Sequence, residues 1–552
     1  MKWRGERPRH PLTLVVFAAA WIAVFCNGSL WSALWALPEN QSARGVLFIA
    51  GFAGMVAALT AAVLALLAWR PLVKIAISLF LVAAAFGAHF MSTYSVVIDP
   101  SMMLNVVQTN PSEVRDLLSG RLAAYVGLLA VLPLLLVWRT PLARLSAVAQ
   151  IWRNLAAAAL ALVVLAGLVL ALYADLSGTM RNHRTLRYMV NPLTSFFSLG
   201  VVVHEANRKP PGPPQAIGAG ATIVPTAAGA KPPLLLLVIG ETARADHFAL
   251  NGYPRPTNPE LSKIDGIVSY ADVTSCGTNT AASLPCMFSH LGKRDFESRS
   301  NDYENLLDVV QRAGMAVLWI DNQAGCKGVC DRVPHADAGQ PAPGAPALPA
   351  GLCTDGECLD AALFEGLDAR IAALPAEARS RGVLLVMHQM GSHGPAYARR
   401  SPPDRKPFMP ECTTNVLQQC DRAALVNAYD NSIAYTDHVL ALGTAWLAQQ
   451  RQRHAPMLLY VSDHGESLGE NNLYLHGLPY AVAPREQKHV PMITWLPEPG
   501  TAPGGLAIDC LRGLRERPYS HDNLFHTALG ILGVRSAEYR AELDAFAACR
   551  AR

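Results

Sequence analysis

Five apolar runs in the first third of this 552-residue chain constrain its fold more than any other feature. Each run is close to the ~20 residues that a bilayer-spanning helix needs. The first run alone would also fit a signal peptide, but the four that follow make five membrane spans the better interpretation. The sequence therefore predicts a five-helix transmembrane domain over residues 1–174. The runs cover residues 11–35, 46–68, 75–95, 121–138 and 154–174.

Basic side chains between the runs predict the topology. They cluster in the first ten residues, between the second and third runs, and between the fourth and fifth runs. The positive-inside rule places all three clusters in the cytoplasm, so the N-terminus is cytoplasmic and the chain leaves on the other face after the fifth span. In a two-membrane bacterium this predicts a multi-pass inner-membrane protein whose C-terminal part is periplasmic.

The cysteines support an oxidising compartment for the C-terminal part. Ten of the eleven lie beyond residue 270, and only Cys26 lies in the apolar region. Paired C-x-x-C knuckles of a zinc ribbon are absent from the sequence, so disulfides are the better interpretation. The formal charge of +4 is too mild to indicate a nucleic-acid partner. Closeness predicts the pairs Cys276–Cys286, Cys326–Cys330, Cys353–Cys358 and Cys412–Cys420, and elimination leaves Cys510–Cys549.

A junction separates the apolar region from a C-terminal domain. Residues 175–200 are amphiphilic and suit a helix at the lipid headgroups, and the Pro/Gly-rich residues 206–232 are typical of a linker. We therefore predict an interfacial helix and linker over residues 175–232 and a catalytic domain over residues 233–552.

Short apolar runs alternate with helical stretches in residues 233–552, which predicts an α/β domain with a mostly parallel sheet and flanking helices. The predicted strands are Leu234–Ile239, Ala316–Ile320, Val383–Met387, Met457–Val461 and Pro491–Trp495.

Carboxylates and imidazoles follow these predicted strands. Glu241 follows the first strand, and Asp463 and His464 follow the fourth. Sites in parallel sheets form at the carboxyl ends of strands, so these side chains are expected to meet. Zinc accepts such mixed nitrogen and oxygen ligands, and the sequence therefore predicts a metal site.

A hydroxyl-rich loop over Asp272–Phe288 supplies a candidate nucleophile. It carries four hydroxyls, on Thr274, Ser275, Thr278 and Thr280, and then turns apolar as a helix entry would. A threonine oxygen at the open position of a zinc ion would be acidified enough to attack phosphorus. Spacing alone does not choose between Thr278 and Thr280.

The chain resembles the phosphoethanolamine transferases that modify lipid A, including the mobile colistin-resistance enzymes. The resemblance covers essentially the whole length and includes the five-span region. It implies an alkaline-phosphatase/sulfatase-like fold for the C-terminal domain. The motifs are Asn105-Val-Val-Gln-Thr109, Ile239-Gly-Glu-Thr-Ala-Arg244, Ser275-Cys-Gly-Thr-Asn-Thr-Ala281, His388-Gln-Met-Gly-Ser-His-Gly-Pro-Ala-Tyr397 and Ser462-Asp-His-Gly-Glu-Ser-Leu-Gly-Glu-Asn471.

The resemblance also implies roles for individual residues. Thr280 becomes the nucleophile that carries phosphoethanolamine, and Glu466 supports the metal ligands without binding the metal. One tight zinc site is implied, with room for a second zinc near His393 and His476. Spacings of four place the three lipid-loop residues on one helical face. The implied sets are zinc ligands Glu241, Thr280, Asp463 and His464; phosphate-binding Lys327, His393 and His476; and donor-lipid residues Asn105, Thr109 and Glu113.

The implied reaction moves phosphoethanolamine from phosphatidylethanolamine to a lipid A phosphate, which would confer polymyxin resistance by lowering surface negative charge. The protein is expected to act as a monomer at the membrane, without nucleic acid. Two alternatives stay open: transfer to an inner-core sugar of lipopolysaccharide, and a teichoic-acid-type glycerol-phosphate transferase. A sulfatase is disfavoured, because Cys286-Met-Phe-Ser-His290 lacks the Cys-x-Pro-x-Arg context that formylglycine formation needs.

Overall fold

The structure is a computed structural model. It describes residues 8–109, 111–208, 212–224, 229–342, 344–354, 356–497 and 503–550, without the side chains of Ser112, Glu113, Arg181, Asn182, Arg184, Glu205 and Arg208. The chain divides into two compact units. The first unit comprises Met1–Met103 and Leu118–His204, and the second comprises Leu104–Leu117 and Glu205–Arg552. A short segment between two apolar runs, residues 104–117, therefore belongs to the second unit.

The first unit contains the helices expected of a membrane domain. Four described helices are long and apolar enough to cross a bilayer. Two shorter helices, bent by 46° at the break between them, make a fifth span if taken together. This agrees with the predicted five-helix membrane domain. The four helices are Ala43–Leu66, Val73–Tyr94, Gly120–Arg139 and Ala147–Ala171, and the bent pair is Pro11–Phe25 with Gly28–Trp35.

The bend in the first span is held by two buried asparagines. The Asn191 side chain donates to the carbonyl oxygens of Cys26, at 2.8 Å, and Ala84, at 2.7 Å. The Asn27 side chain accepts from the backbone N–H of Asn191 at 2.9 Å and donates to its carbonyl oxygen at 2.8 Å. Backbone groups left without partners in hydrocarbon are costly, so the Asn191 side chain satisfies the Cys26 carbonyl oxygen at the break.

The predicted junction over residues 175–232 is divided between the two units after His204. Its described part contains three helical segments rather than one, so the single interfacial helix is replaced by a series. These segments are Tyr173–Asn182, Arg184–Met189 and Leu193–Arg208.

The second unit is built on a seven-stranded sheet with the order β2-β7-β6-β1-β5-β3-β4. Four of the six pairings are parallel, and β7 runs antiparallel to both of its neighbours. All five apolar runs predicted as strands are strands, and the mostly parallel sheet is confirmed. The strands are β1 Pro233–Gly240, β2 Ile267–Tyr270, β3 Ala316–Asp321, β4 His335–Asp337, β5 Val383–His388, β6 Ala455–Ser462 and β7 Met492–Trp495.

Helices cover both faces of this sheet, which explains why its central strands are apolar throughout. One face packs on the short helices around Leu306–Arg312 and Leu524–Leu532. The long helix Arg422–Gln450 covers the other face, where a Cβ on Gly443 would lie 3.2 Å from Leu236. Further helices are Pro100–Gln108, Pro111–Leu117, Thr280–Met287, Lys293–Ser298, Leu367–Ala372, Ala376–Arg381 and Ile508–Gly513.

Short paired strands and disulfides fasten the loops around the sheet. All five predicted disulfides are present, including Cys510–Cys549, and Cys26 is a buried free thiol. The short strand pairs are Thr222–Ile223 with Val534–Arg535, Val273–Thr274 with Tyr519–Ser520, Cys353–Thr354 with Glu357–Cys358, and Ser467–Leu468 with Tyr474–Leu475.

Candidate active site

Strand register places Glu241 beside Asp463 at the carboxyl end of the sheet. Gly240, the last residue of β1, pairs with Ser462, the last residue of β6. The backbone N–H of Asp463 then donates to the Gly240 carbonyl oxygen at 2.9 Å. Both carboxylates are completely buried. Two adjacent parallel strands therefore deliver two acidic side chains to one point, as the sequence predicts.

His464 completes a three-residue cluster with these carboxylates. Its Nε2 lies 3.3 Å from Glu241 Oε1 and 3.4 Å from Asp463 Oδ2. Its Nδ1 lies 2.9 Å from the carbonyl oxygen of Gly465, so Nδ1 carries a proton and Nε2 is the ring nitrogen that faces the carboxylates. One ligand atom from each residue lies within 4.8 Å of the others. This is the spacing of a metal-binding cluster.

One oxygen of Asp463 indicates which kind of ligand the cluster suits. Asp463 Oδ1 accepts the backbone N–H groups of Thr242, at 3.2 Å, and His464, at 2.7 Å. Asp463 Oδ2 is buried and has no hydrogen-bond partner. A buried carboxylate oxygen without a partner is costly, and a bound cation would satisfy it. The donor set of two carboxylates, one imidazole and a nearby hydroxyl suits zinc.

The electrostatics of the cluster agree with a bound cation. Burial, together with the charge of Glu241, raises the pKa of Asp463 to about 6. Burial opposes ionisation of Glu241 as well, but His464, His393 and His388 hold the pKa of Glu241 below its ordinary value. Burial disfavours protonated His464, yet Asp463 and Glu241 raise the pKa of His464 to about 9. The two carboxylates therefore attract positive charge strongly.

Thr280 is the predicted hydroxyl that faces this cluster. Its Oγ1 donates to Glu241 Oε2 at 3.0 Å and lies 3.5 Å from His464 Nε2. Thr280 is the first residue of the helix Thr280–Met287, and the side chain of Asn279 caps that helix by accepting the N–H of Ala282. The partial positive charge of a helix N-terminus stabilises an oxygen that loses its proton.

The other three predicted hydroxyls point elsewhere. Thr278 Oγ1 donates to the carbonyl oxygen of Leu478 at 2.7 Å, and Ser275 Oγ donates to that of Gly277 at 2.6 Å. Thr274 is exposed on a short strand. Of the four hydroxyls, Thr280 is therefore the one that the structure places at the cluster.

A buried histidine ties the Thr280 loop to the metal-ligand loop. His521 Nδ1 accepts the backbone N–H of Cys276 at 3.0 Å, and its Nε2 donates to the carbonyl oxygen of Ser462 at 2.9 Å. Burial lowers the pKa of His521 to about 4, so the ring is neutral and has one donor and one acceptor. The disulfide Cys276–Cys286 joins the same loop to the end of the helix.

The two further predicted histidines lie beside the cluster. The ring centroids of His476 and His464 are 4.4 Å apart, and those of His476 and His393 are 5.5 Å apart. His476 Nδ1 lies 3.3 Å from Glu466, so this buried carboxylate contacts the imidazole of His476. His393 Nδ1 has no partner, and burial lowers the pKa of His393 to about 3.

Lys327 lies within the second unit, in the short loop closed by the disulfide Cys326–Cys330, at a φ of +50°. Positive φ is strained for a residue with a side chain, and such strain often accompanies function. The Nζ atom donates to the carbonyl oxygens of Ala324 at 3.0 Å and Gln108 at 3.3 Å. The lysine therefore reaches the segment 104–117.

The predicted lipid-loop residues do not share one helical face. The helix Pro100–Gln108 ends before Thr109, and a second helix begins at Pro111. Proline lacks the N–H that would continue the first helix, so the expectation of one continuous helix is wrong. Thr109 Oγ1 donates to the Asn105 carbonyl oxygen at 2.8 Å. Glu113 belongs to the second helix, and its side chain lies outside the described part of the chain.

Three residues at the site are absent from the sequence-based set. His388 is the last residue of β5, and its Nε2 lies 3.9 Å from Glu241 Oε2. Asp321 Oδ2, at the end of β3, lies 3.2 Å from His388 Nδ1. Gln323 Nε2 donates to Glu241 Oε2 at 3.2 Å. The available signal for His388 and Asp321 is their position at strand ends, since His388 pairs with Ile239 and Asp321 pairs with His388 across the sheet.

Comparisons with known proteins agree with this architecture. Residues 233–534 match the sulfatase family model, and residues 56–206 match the model described as phosphoethanolamine transferase EptA/EptB. Phosphoethanolamine transferase EptA of Escherichia coli strain K12 is 39% identical over 480 residues, covering 86% of this chain and 85% of the relative. Phosphatidylethanolamine transferase Mcr-1 of Escherichia coli is 39% identical over 442 residues, covering 77% and 79%.

A solved structure extends the likeness to the whole chain. The integral membrane protein lipooligosaccharide phosphoethanolamine transferase A (EptA) from Neisseria meningitidis matches with a TM-score of 0.90 and 32% identity, covering 98% of this chain and 99% of that one. The fold and the buried metal-ligand cluster thus define an integral membrane member of the sulfatase and alkaline-phosphatase superfamily. Within that superfamily, the chain belongs to the phosphoethanolamine transferase family.

Proposed function

We propose that this protein transfers phosphoethanolamine from phosphatidylethanolamine to a phosphate of lipid A through a covalent intermediate on Thr280. The observation that carries the proposal is the position of Thr280 Oγ1, which lies at a helix N-terminus and 3.0 Å from Glu241. The names of the relatives, which specify phosphatidylethanolamine and lipooligosaccharide, support this donor and this class of acceptor.

Two displacements at phosphorus account for the reaction. Thr280 Oγ1 loses its proton and attacks the phosphorus of phosphatidylethanolamine, and the bond from phosphorus to the diacylglycerol oxygen breaks. The diacylglycerol oxygen takes up a proton and leaves as an alcohol. An oxygen of the lipid A phosphate then attacks the same phosphorus, and the bond to Thr280 breaks. Thr280 regains its proton, and the product carries phosphoethanolamine on its phosphate.

Glu241, Asp463, His464 and Thr280 are the residues that would hold zinc. A bound zinc ion supplies Lewis-acid stabilisation of negative charge on the threonine and phosphoryl oxygens. The unpaired Oδ2 of Asp463 and the His464 Nε2, which lies beside both carboxylates, support this assignment. A second zinc beside His393 and His476 belongs to the same proposal.

The neighbouring polar side chains bind the phosphoryl group and move protons. His476 Nδ1 lies 3.3 Å from Glu466, and His393 has an unpaired Nδ1. His476 can protonate the departing diacylglycerol oxygen, whereas His393, whose pKa burial lowers to about 3, binds the phosphoryl group as a neutral ring. Lys327 neutralises phosphate charge, and Asn105, Thr109 and Glu113 contact the donor lipid.

The membrane domain anchors the chain in a lipid bilayer, where a lipid donor is available. We place the protein in the bacterial inner membrane as a monomer, with a cytoplasmic N-terminus and a periplasmic catalytic domain. The basic clusters and the five disulfides support this orientation. An ethanolamine cation added to lipid A weakens the attraction of cationic peptides, so the activity confers polymyxin resistance.

Intact-protein mass spectrometry tests the nucleophile. Wild-type protein incubated with phosphatidylethanolamine should gain the mass of one phosphoethanolamine group, located on Thr280. Thr280→Ala should gain none. Thr278→Ala is the matched control and should still be modified, because Thr278 donates to Leu478 rather than facing the cluster. Modification of Thr280→Ala equal to that of the wild type would refute the mechanism.

The acceptor and the metal need separate measurements. Lipid A from cells expressing the protein should carry phosphoethanolamine on a phosphate by mass spectrometry, whereas a modified core sugar with unmodified lipid A would favour the inner-core alternative. Elemental analysis of the purified protein should find zinc. Asp463→Asn should lower the zinc content, because it replaces the charged carboxylate that carries the unpaired oxygen with a neutral amide.

A further inference from the structure

A buried cluster of four charged side chains fixes the segment 104–117 within the second unit. Asp116 lies on the helix Pro111–Leu117, and its side chain is 3% exposed. Arg400 is also 3% exposed, and Glu357 is 8% exposed. The fourth member, Arg399, is the one that reaches solvent, at 41%. Asp116 is thus held at the centre of a charged cluster and away from water.

The two arginines bind both carboxylates. Asp116 Oδ1 lies 2.6 Å from an Arg399 nitrogen, and Asp116 Oδ2 lies 2.8 Å from an Arg400 nitrogen. Glu357 Oε2 lies 3.1 Å from Arg399 and 3.0 Å from Arg400. Asn415 Nδ2 adds a hydrogen bond to the Asp116 carbonyl oxygen at 2.5 Å. The cluster balances two positive charges with two negative charges.

Arg400 connects this cluster to the active site. Its Nε donates to the backbone carbonyl oxygen of His393 at 2.8 Å, while its two terminal nitrogens bind Glu357 and Asp116. One planar guanidinium therefore has three fixed partners in three directions. His393 is the imidazole with the unpaired Nδ1 beside the candidate metal ligands. The position of Asp116 is thereby linked to the position of His393.

Stability alone does not account for such a cluster. Buried charges lose hydration, and an apolar replacement of a buried ion pair is often as stable or more stable. A buried network can instead fix one geometry of the groups it joins. Here those groups are the segment that carries Asn105 and Thr109, and the loop that carries His393.

We propose that Arg400 is a positioning residue that holds His393 in its working position only when Asp116 docks the segment 104–117 against it. This inference rests on the proposed function and adds a coupling between the donor-lipid segment and phosphoryl transfer. Phosphatidylethanolamine bound by the segment then meets an active site whose imidazole is already placed. Arg399 has the docking role alone, because its side chain binds Asp116 and Glu357 while Arg400 contacts His393.

The test measures release of diacylglycerol from fluorescent phosphatidylethanolamine by the full-length protein, in detergent micelles that also contain lipid A as the acceptor. Arg400→Lys keeps the charge but cannot reach three partners, so we expect kcat to fall about tenfold. Arg399→Lys should raise KM about tenfold and leave kcat within about twofold, because it loosens docking only. Arg405→Lys is the matched control, since Arg405 pairs with Glu260 on the surface, and it should match the wild type.

A double-mutant cycle separates positioning from general loosening. In a His393→Ala background, Arg400→Lys should cause no further loss of kcat, because its effect passes through His393. An independent, additive loss would overturn the inference, as would equal kinetics for Arg399→Lys and Arg400→Lys. If Arg400→Lys does not fold, Asp116→Asn in the same cycle replaces it, because it removes a partner of Arg400 and leaves the arginine intact.

The same assay separates failure of the inference from failure of the proposed function. A wild-type protein that does not release diacylglycerol, and gains no adduct on Thr280, overturns the proposed function. A wild-type protein that is active while Asp116→Asn and Arg400→Lys retain its kcat and KM overturns the positioning role alone.

Discussion

Ser283 Oγ donates to the backbone carbonyl oxygen of Asp463 at 2.6 Å, and both residues are completely buried. The same hydroxyl accepts the N–H of Gly277 at 2.8 Å. Ser283 lies on the helix that begins with Thr280, one turn further along. A single hydroxyl therefore joins the helix that begins with Thr280, the loop before it and the loop that carries Asp463 and His464.

Replacement of Ser283 by alanine should loosen this junction. It leaves a buried N–H and a buried carbonyl without their shared partner, which costs about 1–3 kcal/mol. We expect a lower Tm and a lower kcat, measured by thermal unfolding and by diacylglycerol release. Ser298→Ala, on the exposed end of a neighbouring helix, is the control and should change neither. A Ser283→Ala variant with wild-type kcat would show that the junction does not set the geometry of Thr280.

Asp321 is expected to tune the metal site through His388. Its carboxylate binds His388 Nδ1 and also accepts the indole N–H of Trp319 at 2.8 Å, while His388 Nε2 faces Glu241. Groups that orient metal ligands typically change metal affinity by about 10–100-fold when they are replaced. Asp321→Asn should therefore weaken zinc binding in a chelator competition assay. Asp337→Asn, on the neighbouring edge strand, is the control, and equal zinc affinity of the two variants would contradict this role.

Asp437 should give the protein a pH-dependent stability. This buried carboxylate lies on the helix Arg422–Gln450 and accepts the backbone N–H groups of Glu260 and Leu261. Burial nevertheless raises the pKa of Asp437 from 3.8 to about 7. Between about pH 4 and pH 7 the folded protein binds this proton more tightly than the unfolded chain, so its stabilising contribution is lost as pH rises through that window.

The measurement for Asp437 is a difference in Tm. The Tm of the wild type minus that of Asp437→Asn should fall as pH increases from about 4 to about 7. The reason is that the carboxyl group of Asp437, which titrates in this range, is present only in the wild type. The exposed Asp404→Asn variant should give a difference that is flat across the same range. A constant difference for Asp437→Asn would mean that this carboxyl does not titrate in that window.

Loss of one disulfide should mainly reduce stability, and loss of another should mainly reduce activity. Cys510–Cys549 closes a sequence separation of 39 residues, whereas Cys326–Cys330 closes a separation of 4. Loop-closure entropy predicts about 2 kcal/mol more destabilisation for loss of the longer loop. Replacing both Cys510 and Cys549 by serine should lower Tm more. Replacing both Cys326 and Cys330 by serine should lower activity more, because the loop that this disulfide closes carries Lys327. If the two double variants lost the same Tm and the same activity, this prediction would be wrong.

The membrane spans could be predicted from the sequence because hydropathy and length decide them locally. The break in the first span could not be predicted in the same way. It depends on Asn191, which lies 164 residues from Asn27 and supplies the hydrogen bonds that the break requires. The strands β2 and β4 were missed for a related reason. They are short and only partly buried, so neither produces an apolar run.

The candidate site was predictable where each side chain directly follows an apolar strand. Glu241, Asp463 and His464 do so, and strand register brings them together. His388 ends a strand as well, but its significance depends on contacts with Asp321 and Glu241 that no local pattern reveals. The role of Arg400 depends on Asp116, which is distant in sequence and lies between two membrane spans. Such long-range pairings are decided by the tertiary fold.

The membership of residues 104–117 in the second unit has a practical consequence for drug discovery. A soluble fragment that begins after the membrane helices lacks Asp116, so Arg399 and Arg400 retain one carboxylate partner where the full chain provides two. That surface becomes more positive and more hydrated. Acidic compounds selected against the fragment would bind a face that Asp116 covers in the intact protein, and screening against full-length protein avoids these false hits.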